Sequence, residues 1–145
     1  MPAFELRDLE FMSDGNLDSL TLSMAPALFH ENLKREISTA LREARELTIV
    51  SLQVNPDGFA SLSLYQEALI EIAHHLRTQL RGGDFFSRIS DQGFWILLRT
   101  DLVGAKLVVE RLNLAHHEKI SINFVVRGSH NYSEWISTVD QIHFD

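Results

Sequence analysis

Apolar positions recur at helical spacing from about Ala27 to Glu46, where Leu28, Phe29, Leu33, Ile37, Leu41 and Ala44 make one stripe. A β-branched and aliphatic run, Leu47 to Val54, predicts a strand that ends at Asn55-Pro56-Asp57-Gly58. A second helix is predicted over roughly Ser63 to Leu80, with Leu64, Ala68, Leu69, Ile72, Ala73, Leu76 and Leu80 inward. Two short β-rich runs follow, Phe85 to Ile89 and Phe94 to Leu98. The second is apolar throughout, as in a strand covered on both faces. Between them Ser90-Asp91-Gln92-Gly93 has turn chemistry, so the pair predicts a β-hairpin. A third helix over about Leu102 to His116, a strand Ile120 to Val126 and a last helix over about Ser133 to Phe144, burying Trp135, Val139 and Ile142, complete the pattern. The order is α-β-α-β-β-α-β-α. Without its outer helices it is βαββαβ, a split βαβ of ferredoxin-like type. The expected class is α+β: a central antiparallel sheet with helices packed on it.

Gly82-Gly83 follows the helical pattern HHLRTQL and is placed at a helix C-terminus, where glycine takes positive φ at little cost. Residues 1 to 17, with a turn at Asp14-Gly15-Asn16, are expected to be a lead-in or linker, and 18–145 a single domain. The sequence leaves open whether the chain is a whole protein or a piece of a larger one.

Composition narrows the chemistry. A net charge of -7 argues against a nucleic-acid surface. The absence of cysteine excludes disulfides, thiolate metal sites and thiol nucleophiles. The N-terminus does not read as a signal peptide, and no apolar run approaches the ~20 residues of a membrane span. A cytoplasmic location is expected. His74-His75 and His116-His117 are adjacent helical pairs whose side chains diverge by about 100°, so they suit surface positions better than a metal. Phe85, Phe86, Phe94 and Trp95 read as packing residues.

Several positions together resemble the GGDEF family, the diguanylate cyclase domains. Asp18-Ser19-Leu20-Thr21, with Phe29 downstream, is similar to that family's opening Asp-x-Leu-Thr motif, with Ala25 and Pro26 in place of its Asn-Arg. Asn55-Pro56-Asp57-Gly58-Phe59 is similar to its Asp-x-Asp-x-Phe, and Ala60 stands where it has Lys. Arg88-Ile89 followed by Ser90-Asp91-Gln92-Gly93-Phe94 stands in the register of its Arg-x-Gly-Gly-Asp/Glu-Glu-Phe, with only Phe94 retained. Gly82-Gly83-Asp84-Phe85-Phe86 looks closer to the signature but lies one strand too early. Val139-Asp140 and Phe144 resemble the family's closing motif. The segment after Phe59 that reads guanine in the family is several residues short here.

The resemblance implies a palm-type cyclase fold. It also implies Mg²⁺ held by carboxylates at positions that here are Asn55, Gln92 and Gly93, with Asp91 where a glycine lets backbone approach the nucleotide. An amide is a poor Mg²⁺ ligand and glycine supplies none, so the expectation is a chain with no metal, no cofactor and no enzymatic activity. Asp57 and Asp91 read as turn-initiating aspartates.

One family feature keeps its register. Arg81-Gly82-Gly83-Asp84 stands where many of these cyclases carry the inhibitory Arg-x-x-Asp that binds cyclic di-GMP. An arginine grips phosphate or the guanine edge two-pronged, and an aspartate accepts from guanine N–H groups. Arg77 and, in reserve, Arg88 are candidates for a further arginine. The plainer reading of Arg81, a cation complementing a helix C-terminus, stays open. Two functions are therefore carried forward: a cyclic di-GMP receptor, and a protein-interaction or homodimerisation module that binds no nucleotide.

Overall fold

The computed structural model describes residues 17, 18 and 20–144. Residues 1–16, including the expected turn at Asp14-Gly15-Asn16, lie outside the described residues.

Four helices and four strands alternate as α1 (Pro26–Glu43), β1 (Thr48–Val54), α2 (Leu62–Gln79), β2 (Phe85–Ser90), β3 (Gly93–Leu98), α3 (Leu102–Leu112), β4 (Ile120–Val126) and α4 (Tyr132–Phe144). The strands form one sheet in the order β2-β3-β1-β4, with every neighbouring pair antiparallel. This is the expected α+β, ferredoxin-like arrangement. The two helices of its βαββαβ core, α2 and α3, cover one face, where Val50, Leu52, Phe94, Ile96 and Leu98 meet Leu69, Ile72, Leu76 and Ala105. Helices α1 and α4 cover the other, where Leu47, Ile49, Trp95 and Leu97 meet Phe29, Leu33, Trp135 and Val139. Covering on both faces explains why β3 is buried throughout and reads as an unbroken apolar run.

Local chemistry sets the ends. Pro26 opens α1 at a position where a missing N–H costs nothing. Ser61 and Asp101 cap α2 and α3 through Leu64 N (3.2 Å) and Gly104 N (2.8 Å). Helix α1 stops three residues earlier than expected because Ala44 turns left-handed at φ 53°, and α3 stops at Leu112 because Asn113 does the same at φ 47°.

The helical stripes are also rotated from expectation. Leu41 and Leu64 are exposed at 66% and 48%, and Ala44 is exposed. Ala40 and Tyr65 fill the inward positions instead. On α4, Ile142 is on the outside at 37%, and His143 is the buried neighbour.

At one border of the sheet, Met24 bridges to Ser87 of β2, and Ser87 Oγ donates to Met24 O at 2.5 Å. At the other border, β4 has no further strand beyond it among the described residues. None of the described helices is long and apolar enough to cross a membrane.

Candidate functional site

The hairpin register is the one the turn residues imply. Phe85 faces Leu97, Phe86 faces Ile96, Ser87 faces Trp95 and Arg88 faces Phe94, with an irregularity before the Ser90–Gly93 pair. Asp91 and Gln92 form the turn. Gly93 is fixed by its surroundings, since a Cβ there would run into the carbonyl oxygen of Leu52 and lie 3.1 Å from Gln53 Cα. Asn55 is turned inward on its own loop: its Oδ1 accepts from Asp57 N at 3.0 Å, capping a short 3-10 turn over Pro56–Gly58. Asp57 is exposed. Of the three positions, Asn55 has its amide oxygen engaged on its own loop and Gly93 has no side chain to offer a cation. Among the described residues no group of three or more His, Asp or Glu stands ready for one.

Arg88 is placed where a ligand does not reach it, which corrects its assignment as a reserve arginine. It is fully buried, and its Nη1 lies 3.1 Å from Asp18 Oδ1 and 3.3 Å from Oδ2. Its Nη2 donates to Asp91 O at 3.3 Å. Asp18 in turn accepts from Thr21 N (2.8 Å) and Thr21 Oγ1 (2.7 Å). The Asp-x-Leu-Thr stretch thus acts as a buried strut under the hairpin turn. The next residue, Leu22, pays a conformational cost for it: φ is +58° with the side chain 61% exposed.

Beside Ser90 stands a second buried polar group that the sequence reading missed. His143 is 1% exposed, with Nδ1 2.6 Å from Ser51 Oγ and Nε2 3.2 Å from Ser90 Oγ. Burial pushes its pKa down to about 4.

Arg81 to Asp84 close a β-turn, with Asp84 N donating to Arg81 O at 3.1 Å and Gly83 at φ +95°. Helix α2 ends a little earlier than the glycines, at Gln79. Arg81 is exposed, and Asp84 is half-buried and accepts from Arg99 N at 3.1 Å. Burial raises the Asp84 carboxyl pKa, against the pull of Arg99 and Arg81. Arg81 and Asp84 line a cleft of about 820 Å³ together with Arg99, Thr100, Glu110 and Arg111. Arg77 stands elsewhere: its Nη2 donates to Thr21 O at 2.7 Å, and it lines a neighbouring apolar groove with Leu22, Met24 and Leu76. The extra arginines of the cleft are thus Arg99 and Arg111, from the end of β3 and the last turn of α3. Neither lies close enough to Arg81 in sequence for spacing alone to have linked them.

The remaining candidates are structural. His75 Nε2 contacts Leu112 O, His116 Nε2 lies 3.3 Å from Glu71 Oε2, and His74 and His117 are exposed. Phe86, Phe94 and Trp95 are core residues and Phe85 packs against Phe29.

The same arrangement of helices and sheet recurs in solved GGDEF domains. A microbial GGDEF domain described in its interaction with cyclic di-GMP superposes with a TM-score of 0.75 at 16% identity, over 90% of this chain and 91% of that one. The chain has the fold of a GGDEF domain. The GGDEF domain of DgcB from Caulobacter crescentus, in complex with cyclic di-GMP, gives 0.74 at 13% identity, covering 93% and 91%. The diguanylate cyclase SiaD from Pseudomonas aeruginosa, in complex with its activator SiaC, gives 0.71 at 24% identity. That match covers 89% of this chain but only 56% of SiaD. No family model matches the chain, and no curated protein matches it in sequence. These likenesses correct one expectation. A chain expected to be no enzyme has a fold that recurs in a diguanylate cyclase, which is an enzyme.

Proposed function

We propose that this GGDEF-like domain works in cyclic di-GMP signalling and binds cyclic di-GMP in the cleft beside α2 and α3. The observation that carries this reading is the Arg81–Asp84 turn lining the same cleft as Arg111 and Arg99. Guanidinium groups suit the two phosphates and the guanine edges of such a ligand, and the Asp84 carboxylate suits guanine N–H groups. Three of the matching GGDEF structures, two of them of DgcB, are described with cyclic di-GMP, which supports the choice of ligand.

The test is calorimetric titration of the whole chain with cyclic di-GMP, with GTP as comparison. A charge-assisted hydrogen bond contributes roughly 1.5–3 kcal/mol. Arg81→Ala should therefore weaken binding about ten- to a hundredfold. Because Arg81 is exposed, the fold should stay intact. Asp84→Ala should cost a similar factor.

A second reading rests on a different observation. Leu22 holds an exposed apolar side chain in left-handed backbone at the rim of the groove lined by Leu17, Met24 and Leu28. Strain of this kind gathers at functional surfaces, which favours a protein partner or second copy. Absence of heat or shift at high micromolar cyclic di-GMP would refute the first reading and leave this one.

A further inference from the structure

Arg99 is the best-anchored cation of the cleft. Its Nε and Nη2 form two bonds to the Glu36 carboxylate of α1, at 2.5 and 2.6 Å. Glu36 is nearly buried, with its side chain 11% exposed, while the Arg99 side chain is 35% exposed. The guanidinium lies against Gly83, where a Cβ would meet Nη1 and would stand 2.7 Å from Cζ. Gly83 therefore has two reasons to be glycine: its φ of +95° and the arginine lying against it. The backbone N–H of Arg99 holds Asp84 Oδ1. One residue thus ties three pieces together: the Arg81–Asp84 turn, the end of β3, and α1.

The ion pair occupies one edge of the guanidinium fork, Nη1 lies against Gly83 of the turn, and Arg99 as a whole lines the cleft. An arginine already fixed by a carboxylate loses little rotamer freedom when it meets an anion, which favours binding by preorganisation. Asp84 is close by, and Glu36 and Asp84 are close enough for their charges to interact.

Resting on the cyclic di-GMP reading of the cleft, we infer that Arg99 contacts a ligand phosphate there, as a specificity-determining residue for a phosphodiester, and that Glu36 is the positioning residue that aims it. Arg81 and Arg99 then grip the ligand from two elements, and the bare backbone of Gly83 lets the Arg99 guanidinium lie close to the Arg81–Asp84 turn. A cleft built this way favours ligands with two phosphates over a single nucleoside monophosphate.

The experiment compares four versions of this 145-residue chain: wild type, Arg81→Ala, Arg99→Gln, and the double variant Glu36→Gln with Arg99→Gln. The double variant guards against a folding artefact, because it removes both ends of the ion pair and leaves no lone buried carboxylate. Cyclic di-GMP and GMP are titrated into each at low and high salt. We expect both Arg99→Gln proteins to bind cyclic di-GMP about ten- to a hundredfold more weakly than wild type. Their salt dependence should be flatter, because an exposed phosphate–guanidinium contact is screened and a merely structural role is not. Discrimination against GMP should shrink with it. If Arg81→Ala loses binding while the double variant keeps wild-type affinity and salt slope, the inference about Arg99 is overturned and the reading of the cleft stands. If wild type itself binds no cyclic di-GMP, both fall.

Discussion

Replacing His143 by glutamine should change how the domain responds to acid more than how stable it is at neutral pH. The imidazole is held between the Ser51 and Ser90 hydroxyls, with the Trp95 ring edge-on at 6.0 Å. One ring nitrogen donates and the other accepts, so the neutral form satisfies both hydroxyls. Burial sets the folded-state pKa at about 4, against an ordinary value of 6.5. Between those two values the unfolded chain takes up a proton at this residue and the folded chain does not. Stability from His143 is therefore complete above about pH 6.5 and is lost as pH falls towards 4. A gap of about 2.5 units at 1.36 kcal/mol per unit corresponds to a loss of roughly 3 kcal/mol for wild type. Glutamine keeps an amide that can meet one hydroxyl and has no proton to gain. Urea unfolding at half-unit steps from pH 7.5 to 4 measures both proteins. Other groups, including His30 and the raised carboxyls of Asp84 and Asp140, contribute to both curves and cancel in the difference. Curves that run parallel across that window would refute the reasoning.

Three further outcomes are expected. Asp18→Ala leaves the Arg88 charge buried without its carboxylate and should cost about 3–5 kcal/mol by urea midpoint, much of it recovered when Arg88→Met is added. Gly93→Ala drives a methyl into the Leu52 carbonyl and should cost about 1–3 kcal/mol or more, seen as a lower melting temperature; unchanged melting would show that β1 and β3 have more room than their register implies. Leu22→Gly relieves a left-handed leucine, worth about 1–2 kcal/mol, against an added chain entropy of about 0.5–1 kcal/mol. It should be neutral or slightly stabilising in thermal unfolding, and a clear loss would mean that the exposed side chain packs on something within the chain.

How far the sequence could be read depended on distance along the chain. The hairpin was legible because its two strands and its turn lie within fourteen residues, Phe85 to Leu98, and the turn chemistry is local. Strand β4 was legible to the residue because Ile120 to Val126 is itself a local β-rich run. Helix phase was not, because Leu41, Leu64 and Ile142 fit an apolar stripe as well as their neighbours do, and only the sheet decides which side is covered. Arg88 looked available because its partner, Asp18, lies 70 residues away. Arg99 and Arg111 looked unremarkable because nothing local links them to Arg81. The Asp84 turn was found through register, and the rest of its cleft needed the fold to bring Arg99 and Thr100 after β3 and the last turn of α3 to one place.

The order of the strands also decides where copies of this chain would adhere to one another. A strand at the border of a sheet offers a ready row of N–H and C=O groups to any passing extended segment. The β2 border is partly stoppered by Met24. The β4 border carries ISINFVV, seven residues without a charge or a proline, the composition that invites edge-to-edge growth. Charges flank it at the two ends: half-buried Lys119 just before the strand, and Arg127 just after it, which is 9% exposed with its Nη1 donating to His130 O. In an antiparallel join of two such strands, the lysine end of one would fall opposite the arginine end of the other, twice over. Like charges placed there oppose the join at neutral pH and low salt. High salt, or neutralisation of Lys119 by acetylation, would remove much of that opposition, and turbidity at fixed protein concentration should rise first under those conditions.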